Sequence, residues 1–272
     1  MQFFMILMGS LLLPLAWLQE PAKTQVPEAP YIEREEKQFN FFPGGKLEIT
    51  AGVPGNITIV GWQKGSIRME AEKIVYYHSA EQAMLLLKAH PIRVRWTQTS
   101  STLRIAEPTQ SDATMEYNLT LYVPKEKTDI RSRMKRGDFS IESVNGWVEV
   151  STSEGSLEAK SMEGYFSGET LKGDISVEMS GKNWKGLEFA GVTRLGSVDV
   201  KLPIDYSAAL QLETRDGTIT IDYPPQIVEG EPEPPQIVVR KNSQSLKGAV
   251  GDGGSPLKLV TYAGDIRLSR KE

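Results

Sequence analysis

Gly137-Asp-Phe-Ser-Ile-Glu, Gly146-Trp-Val-Glu-Val-Ser, Gly155-Ser-Leu-Glu-Ala-Lys, Gly164-Tyr-Phe-Ser-Gly-Glu and Gly173-Asp-Ile-Ser-Val-Glu follow one another with their glycines nine residues apart. Each unit reads Gly-x-apolar-x-apolar. In a strand, residues two apart share a face, so Phe139 with Ile141 and Val148 with Val150 turn inward while Ser140 and Glu149 meet water. The glycine supplies the positive φ of a tight corner. A strand this short cannot bury its apolar face alone, so the units must stack.

The same unit stands earlier at Gly45, Gly55 and Gly65, and later at Gly196, Gly217 and Gly264. These repeats predict an all-β fold, a single-stranded β-solenoid (β-helix) with two units, about eighteen residues, per coil. Stacking at that period sets Asp138, Ser156 and Asp174 on one edge, with Trp147 and Tyr165 on the other. One helical insertion interrupts it near 79–90, where Ser79 is placed to cap, Gln82 to close a capping box, and Pro91 follows the end. Met84, Leu85 and Leu87 of that helix are expected to cover an open end or a side of the solenoid. Pro224 to Gln236 is too rich in proline to pair in a ladder.

Residues 1–18 are apolar from Phe3 to Leu18 and carry no charge. They read as a signal peptide or an uncleaved N-terminal anchor, which predicts export to the periplasm, cell surface or exterior. Residues 19–37, rich in Pro, Glu and Lys, read as a tether, and 38–272 as one domain. The chain has 31 Lys and Arg against 35 Asp and Glu, so no strong field draws nucleic acid. It contains no cysteine, which removes disulfides, thiolate nucleophiles and cysteine-based zinc sites.

No catalytic constellation emerges. Glycosidases set two carboxyl groups ~5 to 9.5 Å apart across a cleft. Asp138 and Asp174 would stand two coils apart, ~10 Å, with no loop to bracket them. His78 and His90, the only histidines, flank the helix without acidic partners. The corner positions lack the paired glycines and regular aspartates of calcium-binding nonapeptides, so no metal or cofactor is expected. Arg136-Gly137-Asp138 spells an integrin-binding tripeptide, but its glycine and aspartate are ordinary members of the repeat.

Two surfaces remain as candidates. Trp147 and Tyr165 follow corner glycines where other units carry Asp or Ser. Stacked together, they either form a strip for sugar rings or a protein partner, or cover the seam. Arg131, Arg133 and Lys135 alternate along one strand and form a candidate polyanion face, or an ordinary solvated one. Trp62 and Trp184, in glycine-flanked turns, are expected to add exposed aromatic surface.

The chain resembles a bacterial family known as the putative adhesin domain, of unknown function. The matching residues are Phe42-Pro-Gly-Gly-Lys-Leu-Glu-Ile, Gly55-Asn-Ile-Thr-Ile, Ser79-Ala-Glu-Gln-Ala, Leu121-Tyr-Val-Pro124, the repeats from Gly137, and Thr261-Tyr-Ala-Gly-Asp-Ile-Arg-Leu. The resemblance covers residue 38 to the C-terminus and implies an exported β-solenoid with a surface role and no catalytic residues. The expected function is therefore a non-enzymatic cell-envelope protein that binds a glycan or protein partner. A polysaccharide-active enzyme using edge carboxylates and a periplasmic accessory module of an envelope-stress regulator are the alternatives. Contact with a membrane is expected only through the N-terminal segment, and self-association through exposed strand edges.

Overall fold

A computed structural model describes residues 29–77, 79–107, 114–222, 228–229, 238–240 and 243–271. The segment read as a signal peptide, His78, and most of the proline-rich stretch lie outside these residues. The N-terminal part holds β1 (Tyr31–Asn40), β2 (Lys46–Ala51), β3 (Ile57–Trp62), β4 (Ser66–Tyr76), α1 (Ala80–Ala89), β5 (Arg93–Trp96), β6 (Ser100–Ile105) and β7 (Thr114–Pro124). The repeats form β8 (Asp129–Arg136), β9 (Phe139–Glu142), β10 (Asn145–Glu154), β11 (Leu157–Lys160), β12 (Glu163–Lys172) and β13 (Ile175–Glu178). They are followed by β14 (Gly186–Leu195), β15 (Val198–Leu202), β16 (Ala208–Asp216) and β17 (Ile219–Asp222). The chain closes with β18 (Val228–Glu229), β19 (Val238–Arg240), β20 (Ser243–Val250), β21 (Pro256–Ala263) and β22 (Ile266–Arg270).

These strands make two large mixed sheets, not the single-stranded solenoid expected. The first has ten strands in the order β1-β4-β7-β3-β9-β11-β13-β15-β22-β17. The second has twelve, in the order β18-β20-β16-β21-β14-β12-β10-β8-β2-β6-β5, with β19 also on β20. Pairing is parallel in the middle but antiparallel at β1/β4/β7, at β5/β6 and at β16/β20. Order also departs from sequence, because β21 and β22 insert between earlier neighbours. The physical reason is that the Gly-x-apolar-x-apolar unit specifies a corner and an inward face but does not name its neighbour. Long strands such as β4 and β7, eleven residues each, have enough ladder to pair antiparallel.

In the middle, successive strands go to alternate sheets, so partners lie eighteen residues apart, as Arg131 and Glu149 do. The apolar positions face each other across the gap between sheets. Phe139, Ile141, Leu157, Ile175, Val177, Val198 and Val200 come from the first sheet, and Val148, Phe166, Phe189, Leu257 and Leu259 from the second. Burying each such side chain is worth ~1.5–3 kcal/mol. Phe166 and Phe189 stack with centroids 4.6 Å apart. Helix α1 touches β4 and β1 and buries Ala83 and Leu87. Met84 and Leu85 point to solvent instead, and Ser79 makes no side-chain cap, so the capping box does not form.

The corners stack with almost no room. A Cβ on Gly155 (φ +143°) would lie 1.9 Å from the carbonyl oxygen of Gly137. Gly137, Gly173, Gly196 and Gly264 repeat that contact with the glycine in the neighbouring layer. A column of glycines therefore runs from Gly55 to Gly264, and only glycine allows strands to turn this close together.

β1 begins at Tyr31, inside the stretch read as a tether, and pairs with β4 along its whole length. Two of its charges are spent on a buried lysine. Lys73 of β4, with a side chain only 6% exposed, is gripped by Glu33 at 2.8 Å and Glu35 at 2.6 Å. Val228–Glu229, within the proline-rich stretch, pairs with β20 after all.

Candidate functional site

Two of the sequence candidates meet at one corner of the second sheet. Gly146 and Gly164 begin a second glycine column, in which a Cβ on Gly164 would lie 2.3 Å from the carbonyl oxygen of Gly146. That approach puts Trp147 and Tyr165 directly opposite each other in parallel register. Their rings stack with centroids 3.9 Å apart and planes at 23°. The glycines continue at Gly186, whose Cβ would lie 1.5 Å from the carbonyl oxygen of Gly164, but the aromatic stack ends at Tyr165. The register shifts after Gly164, so Tyr165 next faces Glu188.

Trp147 is 42% exposed. Its indole Nε1–H donates to Glu149 Oε1 at 2.8 Å, and its backbone N–H donates to Asp129 Oδ1 at 3.1 Å. Arg131 holds the other oxygen of Glu149 through Nε at 2.8 Å and Nη2 at 2.7 Å. The indole N–H is the main cause holding the Glu149 carboxyl below its ordinary pKa; partial burial opposes it and Arg131 reinforces it. Beside the ring opens a cleft of about 330 Å³, rimmed by Lys46, Glu48, Asp129, Arg131 and Glu149, with Trp147 as a wall. This is the low end of the usual small-ligand range. The arrangement offers an aromatic edge, fixed carboxylates and a guanidinium, which is recognition chemistry.

The candidate polyanion face is partly neutralised. Arg131 is paired with Glu149, and Lys135 with Glu107. Arg133, exposed on the same face, has no ion pair among the described residues. Of the other aromatics, Trp184 is buried, not exposed as expected, and donates from Nε1 to the carbonyl of Gly164 at 2.9 Å. Trp62 is half-buried and donates to the carbonyl of Ser66.

The edge carboxylates are engaged in structure. Asp138 Oδ1 accepts the N–H of Ser156 at 2.8 Å, Ser156 Oγ accepts that of Asp174 at 3.2 Å, and Asp174 Oδ1 accepts that of Ser197 at 2.7 Å. The ladder begins at Asn118 and Asn56 and continues through Ser197 and Asp265 to Thr218. Hydrogen bonds from Thr218 hold the Asp265 carboxyl below its ordinary pKa. The Arg136-Gly137-Asp138 tripeptide is part of this frame, with Arg136 paired to Glu154 at 2.9 Å. His90 lies at the end of α1 with Nδ1 3.0 Å from the carbonyl of Leu86. Among the described residues, no three His, Asp or Glu side chains gather as metal ligands.

A buried threonine column escaped the sequence reading. Thr170, Thr193, Thr261 and Thr214 donate to the carbonyls of Gly155, Gly173, Gly196 and Gly264 at 2.7–2.9 Å. Each lies three residues before a corner glycine, so the signal Thr-x-x-Gly was present.

No family model and no curated protein matches the chain. The chain has matches among solved structures of bacterial proteins. A "putative cell adhesion protein" from Clostridium sporogenes is 14% identical with a TM-score of 0.46, over 88% of this chain and 100% of that one. A "putative adhesin" from Bacteroides fragilis is 12% identical with a TM-score of 0.38, over 87% and 97%. Neither likeness is close enough to say what this chain binds. No helix among the described residues is long and apolar enough to cross a membrane.

Proposed function

We propose that the protein is a non-enzymatic, exported envelope protein whose second sheet presents a rigid surface to a glycan or protein partner. The Trp147–Tyr165 pair sits at the centre of that surface. One observation carries the reading: an exposed Trp147, stacked on a half-buried Tyr165, borders an open cleft with a charged rim, held in register by glycines that admit no other residue. Exposed Trp and Tyr beside polar groups are the usual anchors of recognition. The carboxylates that a polysaccharide-active enzyme would need are instead tied to backbone N–H groups.

The test is binding of the protein to the envelope fraction of its own organism, with a Trp147→Ala/Tyr165→Ala variant beside the parent. At least a tenfold loss with little dependence on salt supports the proposal. Undiminished binding of the variant contradicts it. Treating the fraction with protease or periodate then separates a protein partner from a glycan.

A further inference from the structure

Three segments, β5, β6 and β8, bring arginines onto the same outer face, on the side of the aromatic corner that runs from β8 to the β5 edge of the second sheet. Arg93 of β5 is the direct antiparallel partner of Arg104 of β6. Arg104 pairs in register with Thr50 of β2, and Thr50 with Arg133 of β8. The row thus reads Arg93, Arg104, Thr50, Arg133, and all three guanidiniums are on exposed residues. Arg95 stands in the next row, opposite Thr102. None of the four has an ion pair among the described residues, and no acid enters the first row until Glu169, beyond Ser151.

We infer that this end of the sheet, β5-β6-β2-β8, binds a linear polyanion through Arg93, Arg104 and Arg133, with Arg95 beside them. Like charges directly opposite each other destabilise a strand pair, so Arg93 and Arg104 oppose each other at a cost that a bound anion removes. Protection of an exposed edge explains charges on β5, the last strand. It does not explain Arg104 and Arg133, which lie on interior strands. Three inter-strand steps span ~14 Å, the reach of several charges along an extended polymer. Guanidinium forks take carboxylate and phosphate oxygens alike, so the shared chemistry is a chain of oxyanions. Thr50 stands between Arg104 and Arg133 in the first row, and Thr102 and then Glu48 follow Arg95 in the second. The one large apolar side chain exposed on these strands, Trp96, stands out of register with the arginines and stacks on Phe39 at 5.2 Å, so little apolar surface is left to dip into a bilayer, which favours a soluble polymer over a lipid surface.

The inference does not depend on the Trp147–Tyr165 proposal, and the test keeps them apart. Binding of the full chain to polygalacturonate, to polyphosphate and to phosphatidylglycerol vesicles is measured across a salt series. The parent binds one or both polymers, with affinity falling steeply as salt rises. Arg93→Gln/Arg104→Gln/Arg133→Gln loses at least tenfold, and its log–log salt slope falls by about two to three. Trp147→Ala/Tyr165→Ala and a control, Lys201→Gln/Arg267→Gln on the first sheet, stay within twofold of the parent. The polymer that binds distinguishes carboxylate from phosphate. Parent-like binding by the triple variant, an equal loss in the control, or binding to vesicles alone overturns the inference. The triple variant should melt at or above the parent's temperature, and a sharp drop would show that the fold itself uses these guanidiniums, which also overturns it.

Discussion

The indole of Trp147 lies against the phenol ring of Tyr165 with centroids 3.9 Å apart, although the two residues are eighteen positions apart in the chain. The contact exists because Gly146 and Gly164 let two corners approach to the limit of the backbone. One face of each ring is spent on the other, and the rest of Trp147 is turned to solvent and to the cleft.

The glycine columns should be the least tolerant part of the molecule. Gly155→Ala would set a Cβ 1.9 Å from a carbonyl oxygen at φ +143° and should cost about 3 kcal/mol in a denaturant titration. Gly44→Ala, also at positive φ but with nothing within 4 Å, should cost only about 1 kcal/mol. Equal losses at the two sites would mean that backbone strain, and not close approach, sets the requirement.

Thr193 is fully buried and its hydroxyl donates to the carbonyl of Gly173 at 2.8 Å. Thr193→Val keeps the shape and removes the donor, so the carbonyl loses a partner. The expected loss is about 1–2 kcal/mol by thermal or denaturant unfolding. A neutral result would show that the threonine column fills space and holds nothing.

Asp138→Ala/Asp174→Ala removes two acceptors from the corner ladder. The expected outcome is a modest stability loss, about 1 kcal/mol in total, with envelope binding unchanged. Any polysaccharide hydrolysis or elimination by the parent that vanishes in this variant would revive the enzymatic alternative.

The Lys73 cluster gives a pH dependence with a definite sign. Burial pushes the Glu35 pKa up, but hydrogen bonds from Lys37 and Lys73 outweigh it, and the net shift is downward from 4.5. A depressed carboxylate contributes stability above its unfolded pKa and loses it as pH falls through the folded value. For Lys73, burial lowers the pKa, and Glu33 and Glu35 more than reverse it, so its contribution holds below 10.5 and is lost above. Lys73→Met should cost on the order of 2 kcal/mol at neutral pH, less than for a fully buried pair because Glu33 is partly exposed. Its stability should then fall less than the parent's between pH 5 and pH 3. A parallel pair of pH curves would contradict the role given to Lys73.

What could be read in the chain follows from what a local pattern can encode. The Gly-x-apolar-x-apolar unit marked Phe139, Ile141, Val148 and Val150 as inward, and its period brought Trp147 to Tyr165 and Asp138 to Ser156. Sheet order was not legible, because nothing in Thr261-Tyr-Ala-Gly264 says that β21 lies between β14 and β16. The charges of Glu33 and Glu35 looked like those of a solvated tether because their partner, Lys73, is forty residues from the first of them. The arginine row is hidden for the same reason. Arg93, Arg104 and Arg133 come from three segments, and only Arg133 stands in the candidate face that the sequence offered.

The central claim is that the aromatic corner of the second sheet is where a partner docks, and indole N–H resonances report on it directly. In a ¹⁵N-labelled protein titrated with the envelope ligand, Trp147 should shift, since its Nε1–H lies at the exposed corner against Glu149. Trp62 and Trp184, which donate to backbone carbonyls, should stay in place. A shift confined to Trp96, on β5 beside the arginines, or no movement of Trp147 at saturating ligand, would contradict the claim.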